Sequence, residues 1–351
     1  MKIFHKKWKR RDLILLLERL ELYISSGLTI DKALEILGQG ISERQATSLA
    51  KVRANVVAGS PLSKSFATHL NLSRTLVGLI EHGESSGELA RTIQTAKTLL
   101  EREEELSKKC LSALAYPVII GIFSLILTIG LVRGVMPQII PMLKSLHVQL
   151  PLLTRVVMFV SENLLSYGLY IFLGIITIFI TTSFTYKKSS LFKGFCHNFL
   201  AHIPILGQLF YSYYLSLFLQ SCGSLVESGL RIGYSYSNTT ATVSFIPLSK
   251  LLNTQIVNIH RGIPLGSLMA NKSNKIPRYI SPLLLAGESS GTLGKSLIRV
   301  ASILDRDIEH SLKRMTSLIE PVMMAGMGCV VGAIALSIMM PIYDISRVLQ
   351  H

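Results

Sequence analysis

The sequence predicts an all-α membrane protein in which two homologous cytoplasmic helical-bundle domains are tied to three transmembrane helices. Three observations carry this. The pentapeptide Gly83-Glu84-Ser85-Ser86-Gly87 returns letter for letter as Gly287-Glu288-Ser289-Ser290-Gly291, and the same register sets Leu89 on Leu293, Glu105 on Glu309, Lys109 on Lys313 and Pro117 on Pro321. So long an ungapped match, ending both times at an uncharged stretch, marks an internal duplication. The composition is 49% hydrophobic and only 16% charged, with mean hydropathy +0.45, too apolar for a soluble chain of this length. Finally, Cys110–Val132, Asn163–Tyr186 and Pro321–Tyr343 carry no formal charge, and each meets the ~20 residues that a spanning helix needs.

The elements follow in order. Met1–Gly27 starts basic, but its apolar run Leu13–Leu17 is broken at once by Glu18, Arg19 and Glu21. That run is too short for a signal peptide, so the chain is expected to begin in the cytoplasm and stay uncleaved. Copy one then reads as helices over Asp12–Ser26, Thr29–Gly38 and Glu43–Ala58; copy two reads as helices over Ser212–Ser228, Arg231–Thr240 and Ser249–His260. The turns Gly59-Ser60-Pro61-Leu62 and Gly262-Ile263-Pro264-Leu265 correspond. Each copy closes on a long helix. In copy two Leu293, Leu297, Val300, Leu304, Ile308, Leu312, Met315 and Ile319 recur at spacings of three and four, one apolar stripe. Leu89, Ile93, Ala96, Leu100, Leu106 and Cys110 repeat it in copy one. Pro117 and Pro321 fall where polar helix meets apolar helix, and proline there favours a kink or a fresh helix start.

Leu206–Val226 is also uncharged, but it carries Gln208, Gln220 and many Ser and Tyr, which makes transfer into hydrocarbon expensive. A span there would also put the two copies on opposite sides of the membrane. It is therefore read as soluble helix. Charge sets the orientation of the other three. Of the 36 Lys and Arg, 18 lie in residues 1–115 and 14 in residues 186–318. Lys108, Lys109, Lys187, Lys188, Lys193, Lys313 and Arg314 flank the spans on one side, against Arg133, Lys144, Arg155 and Arg347 on the other. By the positive-inside rule both modules face the cytoplasm. The expected plan is a first cytoplasmic helical domain at 1–112, spans at 113–135, 163–186 and 321–343, an extracytoplasmic loop at 136–162, a second cytoplasmic domain at 187–318 and an outer tail at 344–351.

Several function classes are disfavoured. The net charge of +15 suits a surface of anionic lipid, and no interleaving of aromatic and basic residues supplies a stacking platform for nucleic acid. Cys110, Cys196, Cys222 and Cys329 have no metal or redox spacing. Ser289–Ser296 nearly spells a phosphate-binding loop, but a helical stripe runs through Leu293 and Leu297, and the duplicate loses both Gly294 and Lys295. The spans lack ionisable side chains, which weakens an ion-coupled transporter. No active site and no cofactor or metal site is read.

The two Gly-Glu-Ser-Ser-Gly segments remain. One reading is helix initiation: Ser85 with Glu88 fits a capping box, Ser86 or Ser290 caps free amides, and Gly83, Gly87, Gly287 and Gly291 supply permissive backbone. Glu84 and Glu288 then partner a positive helix N-terminus or a neighbouring cation. The other reading gives these glutamates to a partner protein, or pairs Glu84 with Glu88 around a cation.

These residues carry a resemblance. Ser26–Ile30 with its copy at 228–232, the Gly-Glu-x-Ser-Gly turn in both modules, Tyr116-Pro117 at the first span, and the ending from Ile319-Glu320-Pro321 to Met340-Pro341-Ile342-Tyr343-Asp344 resemble the type II secretion F / type IV pilus C platform family over about residues 12–345. The resemblance implies a non-enzymatic, polytopic inner-membrane protein on which a cytoplasmic ATPase drives pilin subunits into a pilus or pseudopilus. Its implied partners are that ATPase, pilin-like subunits, further copies of the chain and membrane lipids. Many members carry a longer cytoplasmic extension before the first module, absent here; the shortness resembles competence-pilus members of Gram-positive bacteria, which take up DNA. A protein-secretion or adhesive-pilus platform is the alternative, and a small oligomeric transporter or channel subunit is the competing class.

Overall fold

The computed structural model describes residues 8–134, 141, 155–156, 159, 163, 167, 170, 173–174, 177, 181–182, 184–185, 190–203, 206–270 and 275–348. All regular structure among them is helical. The chain divides into two compact units, Met1–Lys109 with Cys196–Ser311 and Cys110–Phe195 with Leu312–His351.

The first unit holds both copies of the duplicated module. Copy one is α1 (Arg10–Ser25), α2 (Ile30–Leu37), α3 (Glu43–Val57), α4 (Leu62–His69), α5 (Arg74–Ser86) and the start of α6 (Leu89–Gly134). After α7 (Ser190–His202), copy two repeats the order as α8 (Leu206–Glu227), α9 (Ile232–Thr240), α10 (Ile246–Asn253) with α11 (Ile256–His260), α12 (Leu265–Ala270), α13 (Ile280–Ser289) and the start of α14 (Leu293–Val348). In copy one α1 to α5 each pack on the next, and in copy two α8 packs on α9, α9 on α10 and α12 on α13, as antiparallel neighbours with short loops must. The apolar spacing of α1 buries Leu13, Leu16, Leu17 and Leu20 against Leu34 and Leu37 of α2, Leu49 and Val52 of α3, Phe66 of α4 and Ile93 and Ala96 of α6. At ~1.5–3 kcal/mol for each fully buried large apolar side chain, this core is what holds the bundle. Copy two builds its equivalent around Leu215, Phe218, Leu219, Phe245, Leu284, Leu297 and Leu304.

Helix ends repeat as well as helix faces. Gly27 and Gly229 close α1 and α8 at φ +84° and +97°, with Leu28 N–H and Leu230 N–H returning to the carbonyls of Tyr23 and Leu225. A side chain resists that left-handed corner. One expectation fails in copy two: the counterpart of α3 is not a single helix over Ser249–His260. It starts earlier, with Pro247 in the first turn, where proline is tolerated, and it breaks between α10 and α11. There the Thr254 hydroxyl donates to Leu251 O at 2.7 Å, competing for a carbonyl the ladder would use.

The uncharged stretch Leu206–Val226, within α8, forms a core helix. Leu215, Leu219, Cys222 and Leu225 are fully buried, and Ser216, Gln220, Ser221 and Ser224 are buried with them. Its apolar surface is spent on protein, with Leu225 reaching into the core of copy one.

The second unit behaves oppositely. α6 and α14 are, among the described residues, the two helices long and apolar enough to cross a membrane, and at 46 and 56 residues they extend about 70 and 85 Å. Their C-terminal parts expose Ile119, Ile122, Phe123 and Ile126, and Val322, Met324 and Leu336, a surface suited to lipid rather than water. Neither Pro117 nor Pro321 begins a new helix: α6 and α14 run through both. In an apolar setting, continuing the helix is how the backbone amides stay satisfied. The expected second span, 163–186, and the loop at 136–162 fall largely outside the described residues.

Candidate functional site

The duplicated pentapeptides lie at helix ends, not helix starts. α5 runs through Ser86 and α13 through Ser289; Gly87 and Gly291 follow at φ +77° and +69°, and α6 and α14 begin two residues later. Each motif is the elbow between an antiparallel pair. The capping box of Ser85 with Glu88 is not formed. Ser85 lies inside α5, where its hydroxyl donates back to His82 O at 2.9 Å, and Ser86 accepts from Glu88 N–H at 3.4 Å.

Each position in the elbow has its own task. Gly83 and Gly287 let the paired helices touch. A Cβ on Gly83 would sit 1.9 Å from Thr92 Oγ1 and 3.0 Å from Leu89 Cα, and one on Gly287 would sit 2.2 Å from Ser296 Oγ. The glutamates, one turn from the end, reach across to a different helix. Glu84 accepts from Leu62 N–H, from Ser63 N–H at 3.2 Å and from the Ser63 hydroxyl at 2.5 Å. Glu288 accepts from Leu265 N–H at 2.6 Å and Gly266 N–H at 3.2 Å. These are the opening amides of α4 and α12, directly after the Gly-x-Pro-Leu turns. Proline precedes each helix and has no capping side chain, so the free N–H groups and the positive helix end take a carboxylate from elsewhere in the fold. Glu88 turns instead to Arg91, at 2.9 Å, so Glu84 and Glu88 engage separate partners.

Beside the elbows runs a seam between the copies. Arg102 on α6 donates to Asp305 Oδ2 from Nε at 3.0 Å and Nη2 at 2.7 Å, to Ser302 Oγ at 2.9 Å and to Gln220 Oε1 at 2.5 Å. The Ser216 hydroxyl donates to the other oxygen of Asp305. One turn or two further on, Lys109 lies between Glu105 at 2.8 Å and Glu309 at 2.6 Å. Those two glutamates are register equivalents, so one cation joins the same position of both copies, and both hydrogen bonds hold its ammonium pKa above the usual lysine range. α5 also rests on copy two, where a Cβ on Gly78 would meet Asn238 Nδ2 at 2.7 Å. A groove of about 390 Å³ opens beside the seam, lined by Thr98, Glu101, Arg102, Glu105, Lys109 and Asp305.

The letters that nearly spell a phosphate loop do packing. A Cβ on Gly294 would fall 2.6 Å from Glu227 Oε1 and 3.0 Å from Glu227 N, and one on Gly223 would fall 2.9 Å from Gly294 O. These glycines let α8 and α14 cross closely. None of the four cysteines is joined in a disulfide among the described residues, and burial pushes the Cys222 thiol up to about 12, far from a reactive thiolate. Glu320 is exposed on α14. Of the glycines on the apolar helices, a Cβ on Gly121 would lie 4.0 Å from Met323 Cε, while Cβ atoms at Gly130, Gly326, Gly328 and Gly332 would meet nothing within 4 Å among the described residues.

The site is thus a matched pair of carboxylate-capped elbows flanking a hydrogen-bonded seam, in a duplicated bundle whose copies each run into an apolar helix. That arrangement is shared. The sequence model of the family described as type II secretion system (T2SS), protein F, matches twice, at residues 16–137 and 218–341, each match covering most of one module and its apolar helix. The chain belongs to this family. It is 28% identical over 336 residues to the type IV pilus assembly protein PilC of Thermus thermophilus, covering 95% of this chain and 82% of that protein. It is 24% identical to the type IV pilus assembly protein PilC of Pseudomonas aeruginosa, covering 98% and 92%, and 26% identical to the type II secretion system protein F of the same organism, covering 98% and 85%.

Sequence reasoning found the glutamates and glycines of the elbows and one possible partner, a helix N-terminus. It missed which helix, because Leu62 and Glu84 meet only through the antiparallel turn of α4 onto α5. It also missed Arg102, Gln220 and Asp305. The one visible signal was Glu101-Arg102-Glu103 falling on Asp305-Arg306-Asp307, opposite charges at adjacent register positions.

Proposed function

We propose that the chain is the membrane platform of a pilus-type or type II secretion-type assembly machine. In this reading it crosses the cell membrane three times, with both modules and the N-terminus in the cytoplasm and the 136–162 loop and C-terminus outside. It carries no catalytic chemistry. A cytoplasmic assembly ATPase engages the modules, and pilin-like subunits meet the apolar helices, with further copies of the chain completing the platform. In this reading the Arg102–Asp305 seam ties the two modules together, so a push on one is shared with the other. The carrying observation is that both family matches coincide with a module joined to an apolar helix, and that relatives matched over nearly the whole chain are named for pilus assembly and for type II secretion.

Within that class we favour a pilus that takes up DNA for competence. Disrupting the gene in its native cell tests both levels. Surface filaments and natural transformation should be lost together and restored by the intact gene. Filaments that persist without the chain overturn the platform reading; filaments lost with transformation intact overturn the DNA-uptake branch. The purified chain should hydrolyse no nucleotide by itself.

A further inference from the structure

We propose that α7 is a membrane-surface helix, seating Phe195 and Phe199 in the headgroup layer of an anionic bilayer while its opposite face is fastened to the second module. The proposal rests on the reading that the chain spans a membrane.

One face of α7 is fully committed. His197 is buried, its Nδ1 accepts from Ile246 N–H at 3.3 Å, and its ring lies 5.4 Å from that of Phe245. Ala201 is buried in the same core, and its carbonyl accepts from Lys275 Nζ at 2.7 Å. The following turn is tight: a Cβ on Gly207 would fall 2.6 Å from Ala201 O. With that face fixed, the 3.6-residue period leaves no freedom for the other. Phe195 and Phe199 point outward at 70% and 62% exposure, flanked on the same face by exposed Asn198 and His202.

Two exposed phenylalanines one turn apart need a cover, and the chain indicates which. α7 follows the uncharged stretch 163–186 after only Lys187, Lys188 and Ser189, and it carries Lys193. It is therefore tethered where a bilayer surface would be, directly behind Lys187 and Lys188, which attract anionic lipid. It also lies outside both family matches, at 16–137 and 218–341. A folded protein partner fits less well, since a stable interface takes about 800 Å² from each side and two rings offer a fraction of that. A tethered amphipathic helix needs only a shallow apolar face, seated about 5–10 Å into the headgroup boundary.

Trp8 is the single tryptophan, so replacing it by Phe gives a silent background for Phe199→Trp, with Phe195→Trp as a second reporter. Both sites are exposed, so neither substitution disturbs packing. The full chain is placed in nanodiscs of phosphatidylglycerol and brominated phosphatidylcholine, with Phe123→Trp on α6 as the reference. Emission from position 199 should shift to the blue and be quenched more by bromine near the ester end of the acyl chain than by bromine near its terminus. Quenching by aqueous acrylamide alone, with Phe123→Trp still quenched by lipid, overturns the proposal and leaves the membrane reading standing. Stronger quenching from the chain terminus overturns the surface placement. If Phe123→Trp also escapes lipid quenching, the membrane reading fails and takes this proposal with it.

Discussion

Glu84 and Glu288 occupy the same register and do the same work, but their surroundings differ by one hydroxyl. Glu84 accepts from two amides and from Ser63; Glu288 accepts from two amides, because Gly266 stands where Ser63 does. Loss of a cap costs about 0.5–2 kcal/mol, and a partly buried charge at a helix end contributes up to ~2 kcal/mol. Glu84→Ala should therefore lower stability by about 2 kcal/mol and Glu288→Ala by somewhat less, measured by chemical denaturation in detergent. Equal costs would mean the Ser63 hydroxyl is not a real partner. Gly83→Ala tests the other half of the elbow. Its new methyl would overlap Thr92 Oγ1 and press on Leu89 Cα, an overpacking of about 1–3 kcal/mol. Adding Thr92→Ala should recover part of the loss, since the backbone contact remains; complete recovery would show that the helices can part freely. At this scale the sequence was legible in what repeats and silent on what touches. Two identical pentapeptides marked Gly83, Glu84 and Gly87 as special, but the glutamate's acceptor role depends on a partner 22 residues away.

Among the elements, the periodic helices were readable and the weakly patterned ones were not. α1, α2, α3, α8 and α9 follow their apolar spacing to within a few residues, save that α8 begins at Leu206, ahead of the expected start at Ser212. α4, α5, α12 and α13 are short and carry glycine or polar residues in their first or last turns, so their propensity is weak and tertiary packing defines them. That is why the Gly-Glu-Ser-Ser-Gly motif reads as a helix start: with α5 unseen, the next apolar stripe is α6. The seam belongs to this scale too. Arg102 and Asp305 are 23% and 18% exposed and share one network, so a double-mutant cycle of Arg102→Met and Asp305→Ala should return a coupling of about 2 kcal/mol, inside the range for such neighbours. Additive effects would show that the Arg102–Asp305 pair does not help to hold α6 to α14. Glu103, next along α6, supplies the pH dependence. Its side chain is 24% exposed and 3.4 Å from Arg10, and burial raises its carboxyl above 4.5, with the Arg10 charge offsetting part of the effect. Between 4.5 and that raised value the folded state holds more protons than the unfolded one, so this group's contribution falls as pH rises through the window. Glu103→Gln should flatten that fall and raise the thermal midpoint at neutral pH; a lower midpoint there would mean the Arg10 pair outweighs burial.

For the whole molecule, the contact between the modules bears on topology in a way no charge count can. Arg102 reaches Asp305, Ser302 and Gln220, and Leu225 of copy two lies in the core of copy one, so the modules occupy one compartment. α6 leaves copy one as an apolar helix, and copy two resumes at α8. If α6 crosses the bilayer, the chain must cross again before it returns, and between residues 135 and 189 the uncharged stretch of spanning length is 163–186. On that premise α14 would leave once more, with the C-terminus on the far side. The Lys and Arg count reaches the same arrangement from independent physics, the preference of basic juxtamembrane residues for the cytoplasmic face. Reporter fusions after Leu70 and Lys250 should therefore read inside, and fusions after Leu146 and at His351 outside. A Leu146 fusion that reads inside removes the outer loop and returns α6 to the status of a long cytoplasmic helix. Leu70 and Lys250 reading on opposite sides would do more damage, because Arg102 and Asp305 could then never meet, within one chain or between copies inserted the same way.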